Sequence, residues 1–400
     1  MRTLSTFLVS ALAFGVLFGC GGGGEIPSGG LHDVPPTRAD NAAIQRLIAL
    51  RPLRGVGFQP APSDYKGDGK GQYFDSDFYN EDYKQLWGPQ GRNDIGNLRA
   101  AGVGFIHPYD WNPTGRNHKP FLDYCAAQNM CVAVPFSNYI ITQMKNGNGA
   151  VQGWINNIVG EVYSGGTRNP SVILWTLGNE WDNTGGFFQP ADIARLAQMI
   201  INAEDSLNIK QEDRIAFTCP VTFGVKFGNP VEGAGATLQL RDGFAAAGMS
   251  TVFQNRFVAC VNSFNPGSDL GPWAATRFPQ ATNNIPFIMY EVGKEIGGVV
   301  NGTYSPDYGD VHDEAQQGGF YAAQIAALMP STKTGPFLGF SMFSTVNEAF
   351  KGGTEATFGL YKISVPNARQ GRTTKGENFP IDTWAEKPSF TAMKNAFLSN

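Results

Sequence analysis

Two short segments place a carboxylate directly after a long apolar run. Glu180 follows Ser171-Val172-Ile173-Leu174-Trp175-Thr176-Leu177-Gly178-Asn179, and Glu291 follows Ile285-Pro286-Phe287-Ile288-Met289-Tyr290. Two carboxylates aimed into one cleft are what cleavage of a glycosidic bond requires. One holds a proton near neutral pH and gives it to the leaving oxygen. The other stays ionised and attacks the anomeric carbon. Burial beside aromatic side chains raises the first pKa, and hydrogen-bond donors keep the second low. Either Glu alone could simply cap a neighbouring helix; the two in matching contexts point to a site.

The elements that position this pair can be read from the apolar runs. Strands are expected near Leu53–Gln59, Val103–Pro108, Cys131–Phe136, Val172–Leu177, Arg214–Pro220, Phe257–Ser263, Pro286–Tyr290 and Phe337–Phe343. The runs are continuous rather than alternating, which indicates strands buried on both faces. Stretches of helical spacing lie between them, including Arg92–Ala101, Pro190–Asn202 and Glu314–Met329, and Pro190 suits a first-turn position. Eight strand–helix units predict an α/β chain forming a single (β/α)8 TIM barrel over residues 51–400. Two doubly wound domains are the alternative, but no Gly-rich phosphate loop follows the first strand. In the barrel Glu180 and Glu291 close strands four and seven, which face each other across the C-terminal mouth.

At these residues the chain resembles glycoside hydrolase clan A, the retaining (β/α)8-barrel glycosidases. Gly178-Asn179-Glu180, preceded by Asn169-Pro170-Ser171-Val172-Ile173, is similar to the clan's acid/base strand. Ile288-Met289-Tyr290-Glu291-Val292-Gly293 is similar to its nucleophile strand. The resemblance implies O-glycosyl hydrolysis with Glu180 as acid/base, Glu291 as nucleophile and Asn179 on the sugar 2-hydroxyl. The carboxyl groups are then expected about 5–5.5 Å apart. Arg54-Gly55-Val56-Gly57-Phe58-Gln59-Pro60, Asn93-Asp94-Ile95 and the segment from Phe343 to Tyr361 resemble the β-1,3-glucan-active families 17 and 72. Pro170-Ser171-Val172-Ile173-Leu174-Trp175 is also similar to family 2 β-galactosidases and β-glucuronidases, and a β-mannanase remains an alternative within the clan. Three positions depart from the clan pattern: His107 stands where an Arg is frequent, Phe264 where a Tyr is frequent, and Phe343 where a Trp is frequent. Glu291 is thus expected to have few donors, with Tyr109 or Tyr290 compensating. A surface glycan-binding lipoprotein that has lost turnover is the reading from another class.

Aromatic residues near the strand ends are candidate sugar platforms, because sugar rings present flat C–H faces. Tyr109, Trp111, Trp181 and Tyr290, with His107, complete the candidate substrate-binding set; Trp111, Trp181, Phe187 and Phe188 fall on loops that should rim the mouth, where covering the rim as satellite core is the commoner role for any one of them. Asp110 could contact a hydroxyl or cap a turn, and Asn347-Glu348 could line a subsite or form a surface salt bridge. His118 and Asn117 have no assignable role. Cys125, Cys131, Cys219 and Cys260 allow three disulfide pairings, of which 125–131 and 219–260 are conceivable, with free thiols equally open. The four His are scattered and no CxxC occurs, so no metal or organic cofactor is expected. The acidic cluster Asp307, Asp310, Asp313 and Glu314 lacks a calcium-loop pattern.

Composition narrows the partners. The 400 residues carry 30 Lys+Arg and 34 Asp+Glu, a net charge of −4, which excludes the broad basic surface that sequence-independent nucleic-acid binding needs. Charged residues are only 16%, while Gly numbers 50; these figures suit a loop-rich globular protein with ample core. Met1-Arg2 and the apolar run Leu4 to Gly19 read as a signal peptide, and Leu17-Phe18-Gly19-Cys20 resembles a lipobox. The expected organisation is a lipoprotein signal over 1–19, lipidation at Cys20, a flexible tether and leading helix over 20–50, then the barrel. An exported monomer, held at a bacterial membrane by lipid alone and acting on an oligo- or polysaccharide, is the resulting expectation.

Overall fold

All eight expected strands form, and they close into one parallel ring. In the computed structural model, which describes residues 41–67 and 76–399, the ring comprises β1 (Leu53–Gly57), β2 (Phe105–His107), β3 (Cys131–Phe136), β4 (Val172–Leu177), β5, β6 (Ala259–Ser263), β7 (Phe287–Val292) and β8 (Phe337–Met342). The fifth strand is broken at Cys219 into Ala216–Thr218, which pairs with β4, and Pro220–Thr222, which pairs with β6. Its two halves therefore bridge β4 and β6, while β8 pairs with β1 on the other side. Helices Asp94–Ala100, Pro190–Ser206 and Glu314–Leu328 lie on the stretches of helical spacing. The signal peptide, Cys20 and most of the tether lie outside the described residues. The leading helix, Ala42–Ala49, is described.

Within each continuous apolar run the side chains still alternate, but between two apolar environments. Val132, Val134 and Phe136 face the helices while Ala133 faces the barrel interior; Trp175 and Leu177 face out while Leu174 faces in. The interior is a packed layer of Leu53, Phe105, Ala133, Leu174, Ala216, Cys260, Ile288, Tyr290 and Leu338, joined by Ala43, Ile44 and Leu47 of the leading helix. That helix thus plugs one end of the barrel. Gly339 on β8 has φ +150, and a Cβ there would lie 2.1 Å from the Leu53 carbonyl oxygen. Only glycine lets β8 approach β1 at this point.

The same alternation decides the cysteines. Cys219 packs in the outer layer and Cys260 in the interior, so the two point to opposite faces of the sheet. All four described cysteines are free thiols, and burial raises the pKa of each. An addition the apolar pattern did not announce follows the eighth strand. Tyr361–Arg372 and Asn378–Glu386 form an antiparallel hairpin outside the barrel sheet, and the helix Pro388–Ser399 returns to pack on Glu314–Leu328.

One charged network lies wholly inside the outer layer. Arg256 donates to Glu204 through two bonds of 2.8 Å, and its Nε and Nη2 also reach the Ile215 carbonyl. Trp175 Nε1 and the Tyr163 hydroxyl donate to the same Glu204 carboxylate. The network ties β4, β5 and the helix Pro190–Ser206 together. Removing one partner strands the other charge in the core. Glu204→Ala is expected to lower unfolding free energy by about 3–5 kcal/mol, read from urea unfolding at unchanged slope.

Candidate active site

The turn after β4 is built to turn a side chain into the mouth. Gly178 has φ +69, and a Cβ there would lie 2.5 Å from Ile141 Cδ1 and 2.7 Å from Asn138 Oδ1. Glu180 itself has φ +50, a left-handed conformation costing a non-glycine residue about 1–2 kcal/mol. The turn is held by Asn138, whose Oδ1 accepts from the Asn179 N–H at 2.8 Å and whose Nδ2 donates to the Asn179 carbonyl at 3.0 Å. The Glu180 N–H donates to the Pro220 carbonyl of β5 at 2.8 Å.

Glu291 lies inside β7, opposite Asn262 of β6. Asn262 Nδ2 donates to Glu180 Oε1 at 3.1 Å and to Asn179 Oδ1 at 3.2 Å. The expected pair therefore meets across the mouth, with Asn179 and Asn262 beside it. Both Glu side chains line a cavity of about 470 Å³, together with Tyr109, Asn179, Phe264, Asn265, Lys294, Glu295, Phe343, Lys351, Thr354, Glu355 and Phe358. A second cavity of about 290 Å³ is walled by His107, Tyr109, Asp110, Asn138, Tyr139, Asn179 and Tyr290, among others. Tyr109 and Asn179 belong to both.

The electrostatic order differs from the expected one. Glu291 is the buried carboxyl, 5% exposed, whereas Glu180 is half-buried and receives hydrogen bonds from Asn262 and Asn183. Burial first, then the nearby Glu180 charge, pushes the Glu291 pKa up to about 8, against the opposing pull of Lys351 and Tyr109. The Tyr109 hydroxyl is buried and aimed at Glu291, yet falls outside strict hydrogen-bond geometry, so its support is weak. These environments alone would leave Glu291 protonated at neutral pH.

The other anticipated donors are engaged elsewhere. The Tyr290 hydroxyl is 2.7 Å from Thr176 Oγ1 in the barrel interior, not at Glu291. His107 is fully buried against the Tyr290 ring, 4.1 Å between centroids, and burial drives its pKa down to about 3. It is neutral and cannot replace an arginine. Phe264 and Phe343 do flank Glu291, as their places in the sequence suggested, and neither can donate.

Two sugar-platform candidates are placed in packing instead. Trp111 is 1% exposed, stacks on His118 at 4.1 Å and donates its Nε1 to Glu161. Trp181 is 4% exposed and lies under Phe227 at 5.5 Å. Neither lines the two cavities. Phe188 is buried and Phe187 exposed. Asp110 accepts from the Trp111 N–H and from Ser76 Oγ while lining the smaller cavity. Glu348, which could have formed a surface salt bridge, is buried and lies 2.8 Å from Lys351.

Sequence reasoning passed over Lys351, Asn262 and Asn138. Their signals were present: Glu348 and Lys351 are three apart, and Asn262 follows directly on the apolar run Phe257–Val261, as the glutamates follow theirs. Among the described residues no group of three or more His, Cys, Asp and Glu is arranged to hold a metal. In the acidic cluster, Asp313 caps a helix through the Gln316 N–H and Glu314 pairs with Lys362. No described helix is long and apolar enough to cross a membrane.

The sequence matches no family model and no curated protein. Solved structures do share the fold. The AHE enzyme from Alicyclobacillus herbarius aligns with TM-score 0.51 at 10% identity, over 88% of this chain and 94% of its own. The GH2 β-galacturonidase from Eisenbergiella tayi aligns at TM-score 0.46 and 14% identity, over 77% of this chain and 47% of its own. The catalytic core of xylanase A gives 0.48 at 10% identity, over 76% and 92%. This chain thus spans less than half the length of the galacturonidase. At these identities the likeness is one of fold alone.

His118, without a role in the sequence, is a buried cation at the rim. Its Nδ1 lies 2.9 Å from Glu161 Oε2 and its Nε2 3.0 Å from Asp77 Oδ2. Burial alone would lower its pKa, but the Asp77 and Glu161 carboxylates outweigh that and push it up to about 9. A pKa raised on folding stabilises fully below the unfolded value, about 6.5, and the contribution is lost as pH rises through 9. The stability gap between wild type and His118→Gln is expected to narrow between pH 6.5 and 9.5 by on the order of 3 kcal/mol, read from urea unfolding at each pH.

Proposed function

We propose that this chain is a retaining glycosidase acting by double displacement on a neutral β-linked glycan. The observation that supports it is the convergence of Glu180 from β4 and Glu291 from β7 on one cavity at the strand C-termini, close enough for one charge to shift the other's pKa. Glu291 attacks the anomeric carbon as Glu180 protonates the leaving oxygen. Glu180 then deprotonates water or an acceptor sugar, which releases the glycosyl-enzyme. Asn179, beside both carboxylates, is placed to bind the sugar hydroxyl next to the reacting carbon.

A β-1,3-glucan-type substrate fits the motifs around Arg54–Pro60 and Phe343–Tyr361. Charge favours it over a uronate: four carboxylates, Glu180, Glu291, Glu295 and Glu355, line the cavity against two lysines, Lys294 and Lys351. A glycan carboxylate would be repelled there.

Attack needs Glu291 as an anion, and burial leaves that carboxyl mostly protonated at neutral pH. With a pKa near 8, about one tenth of Glu291 is ionised at pH 7. For a 2,4-dinitrophenyl β-glycoside, whose leaving group departs without a proton, only the nucleophile must be ionised, so kcat/KM is expected to rise about tenfold per pH unit from pH 6 and to level off near pH 8. A profile already flat at pH 6 would contradict this order.

The weak donor set around Glu291 favours one second reading, a glycan-binding barrel without turnover. A panel of 2,4-dinitrophenyl 2-deoxy-2-fluoro-β-glycosides (gluco, galacto, manno, xylo) separates the two. Peptide mass mapping is expected to find the label on Glu291 in wild type and none in Glu291→Gln. A label on Glu180 would exchange the two roles, and glycan binding without any label would leave the binding module.

A further inference from the structure

The wall of the cavity that holds Glu291 carries a cation with neighbours on three sides, its side chain 27% exposed. Lys351, on the loop after β8, places its Nζ 2.8 Å from Glu348 Oε2. The same ammonium sits 4.8 Å from the Phe343 ring centroid and 5.5 Å from that of Tyr109, within cation–π range. Glu348 is 2% exposed, so this partner is fixed. Glu355, 3.7 Å away, has a side chain 64% exposed and is a loose second partner. A lysine normally ranges over many rotamers; here a buried carboxylate and two aromatic faces draw it to the wall of the Glu291 cavity.

The remaining groups around Glu291 leave Lys351 as its principal cation. From β4, Glu180 opposes a second negative charge. From the loop after β2, Tyr109 faces Glu291 with a weakly placed hydroxyl, and His107 is neutral. Tyr290, next in sequence, is turned to Thr176, and Phe264 beyond β6 offers no polar atom. Beyond β7, Lys294 is paired with Glu295 at 3.4 Å and leans over Phe320. From the β8 side come Lys351, which favours the ionised carboxyl, and Glu348, which opposes it. No arginine lines the cavity among the described residues.

We propose that Lys351, clamped by Glu348, is the positioning residue that keeps Glu291 available as an anion, performing from the β8 loop the task an arginine on a neighbouring strand would otherwise perform. The inference rests on Glu291 being the nucleophile. Phe343 then has a function: its π-face holds the ammonium at a height where it acts on Glu291 without bonding it. Glu348 sets the strength of the effect. It anchors the cation and also spreads part of its field, so the pair acts as a tuned counter-charge rather than a full one.

The test reads Glu291 directly and then through its chemistry. The titration of the Glu291 carboxyl is followed by 13C NMR in full-length protein carrying 13C-carboxyl glutamate, with the signal assigned by its loss in Glu291→Gln. Lys351→Met is expected to move the midpoint upward by about one pH unit or more, Lys351→Arg to restore it, and Glu348→Gln to move it downward. Inactivation by the 2,4-dinitrophenyl 2-deoxy-2-fluoro-β-glycosides needs little acid assistance, since the leaving group departs unaided. Its acid limb is therefore expected to shift with the same sign in each variant. An unmoved midpoint in a folded Lys351→Met protein overturns the proposal, as does a uniform loss of rate with no shift of the limb. Shifted midpoints with no inactivation by any sugar support the Lys351 assignment and overturn the glycosidase reading instead.

Discussion

Everything at the mouth depends on the ring of parallel strands being closed. A parallel sheet sends all its strand C-termini to one end, and closing it brings ends that are distant in sequence to face each other. Glu180 and Glu291 are more than a hundred residues apart, yet the pairing of β6 with β7 sets Asn262 beside Glu291 and hands its amide to Glu180. Closure itself hinges on two local features. The fifth strand breaks at Cys219 so that its halves serve different neighbours, and Gly339 lets β8 press against β1.

The barrel was legible because its signal is redundant. Eight apolar runs, each long enough to be buried on both faces, recur with helical stretches between them, and any one could blur without changing the count. The two glutamates were legible for a related reason: a charge that ends such a run must emerge at the mouth. What lay hidden was set by side-chain direction. Trp111 and Tyr290 sit where platforms or donors were sought, but Trp111 turns under the rim onto His118 and Tyr290 turns into the interior toward Thr176. A strand residue's face follows from register, and register depends on bulges such as those between β7 and its neighbours, which leave no mark in composition. The hairpin over 361–386 was missed because its first strand is largely exposed and neither strand carries a long apolar run.

Burial is the second organising force, and it acts against the charges it surrounds. The interior that makes the barrel stable also strips water from Glu291, His107 and Glu348. Each responds according to its partners. His107, with no counter-charge, becomes neutral, whereas His118, between two carboxylates, becomes a persistent cation. Glu204 and Arg256 neutralise each other. Glu291 is the intermediate case, balanced between desolvation and a few weakly placed supports.

The glycine at the β4 turn separates two kinds of glycine in this glycine-rich chain. A Cβ at Gly178 would collide with Ile141 and Asn138, while one at Gly149, Gly153, Gly160 or Gly319 would meet nothing within 4 Å. The second group sits at ordinary backbone angles and has open space. Over generations the two must diverge in fate: codons of the open positions can drift freely, whereas that of Gly178 is pinned. The turn that aims Glu180 is therefore a hereditary bottleneck, a position where descendants of this chain have little room to vary.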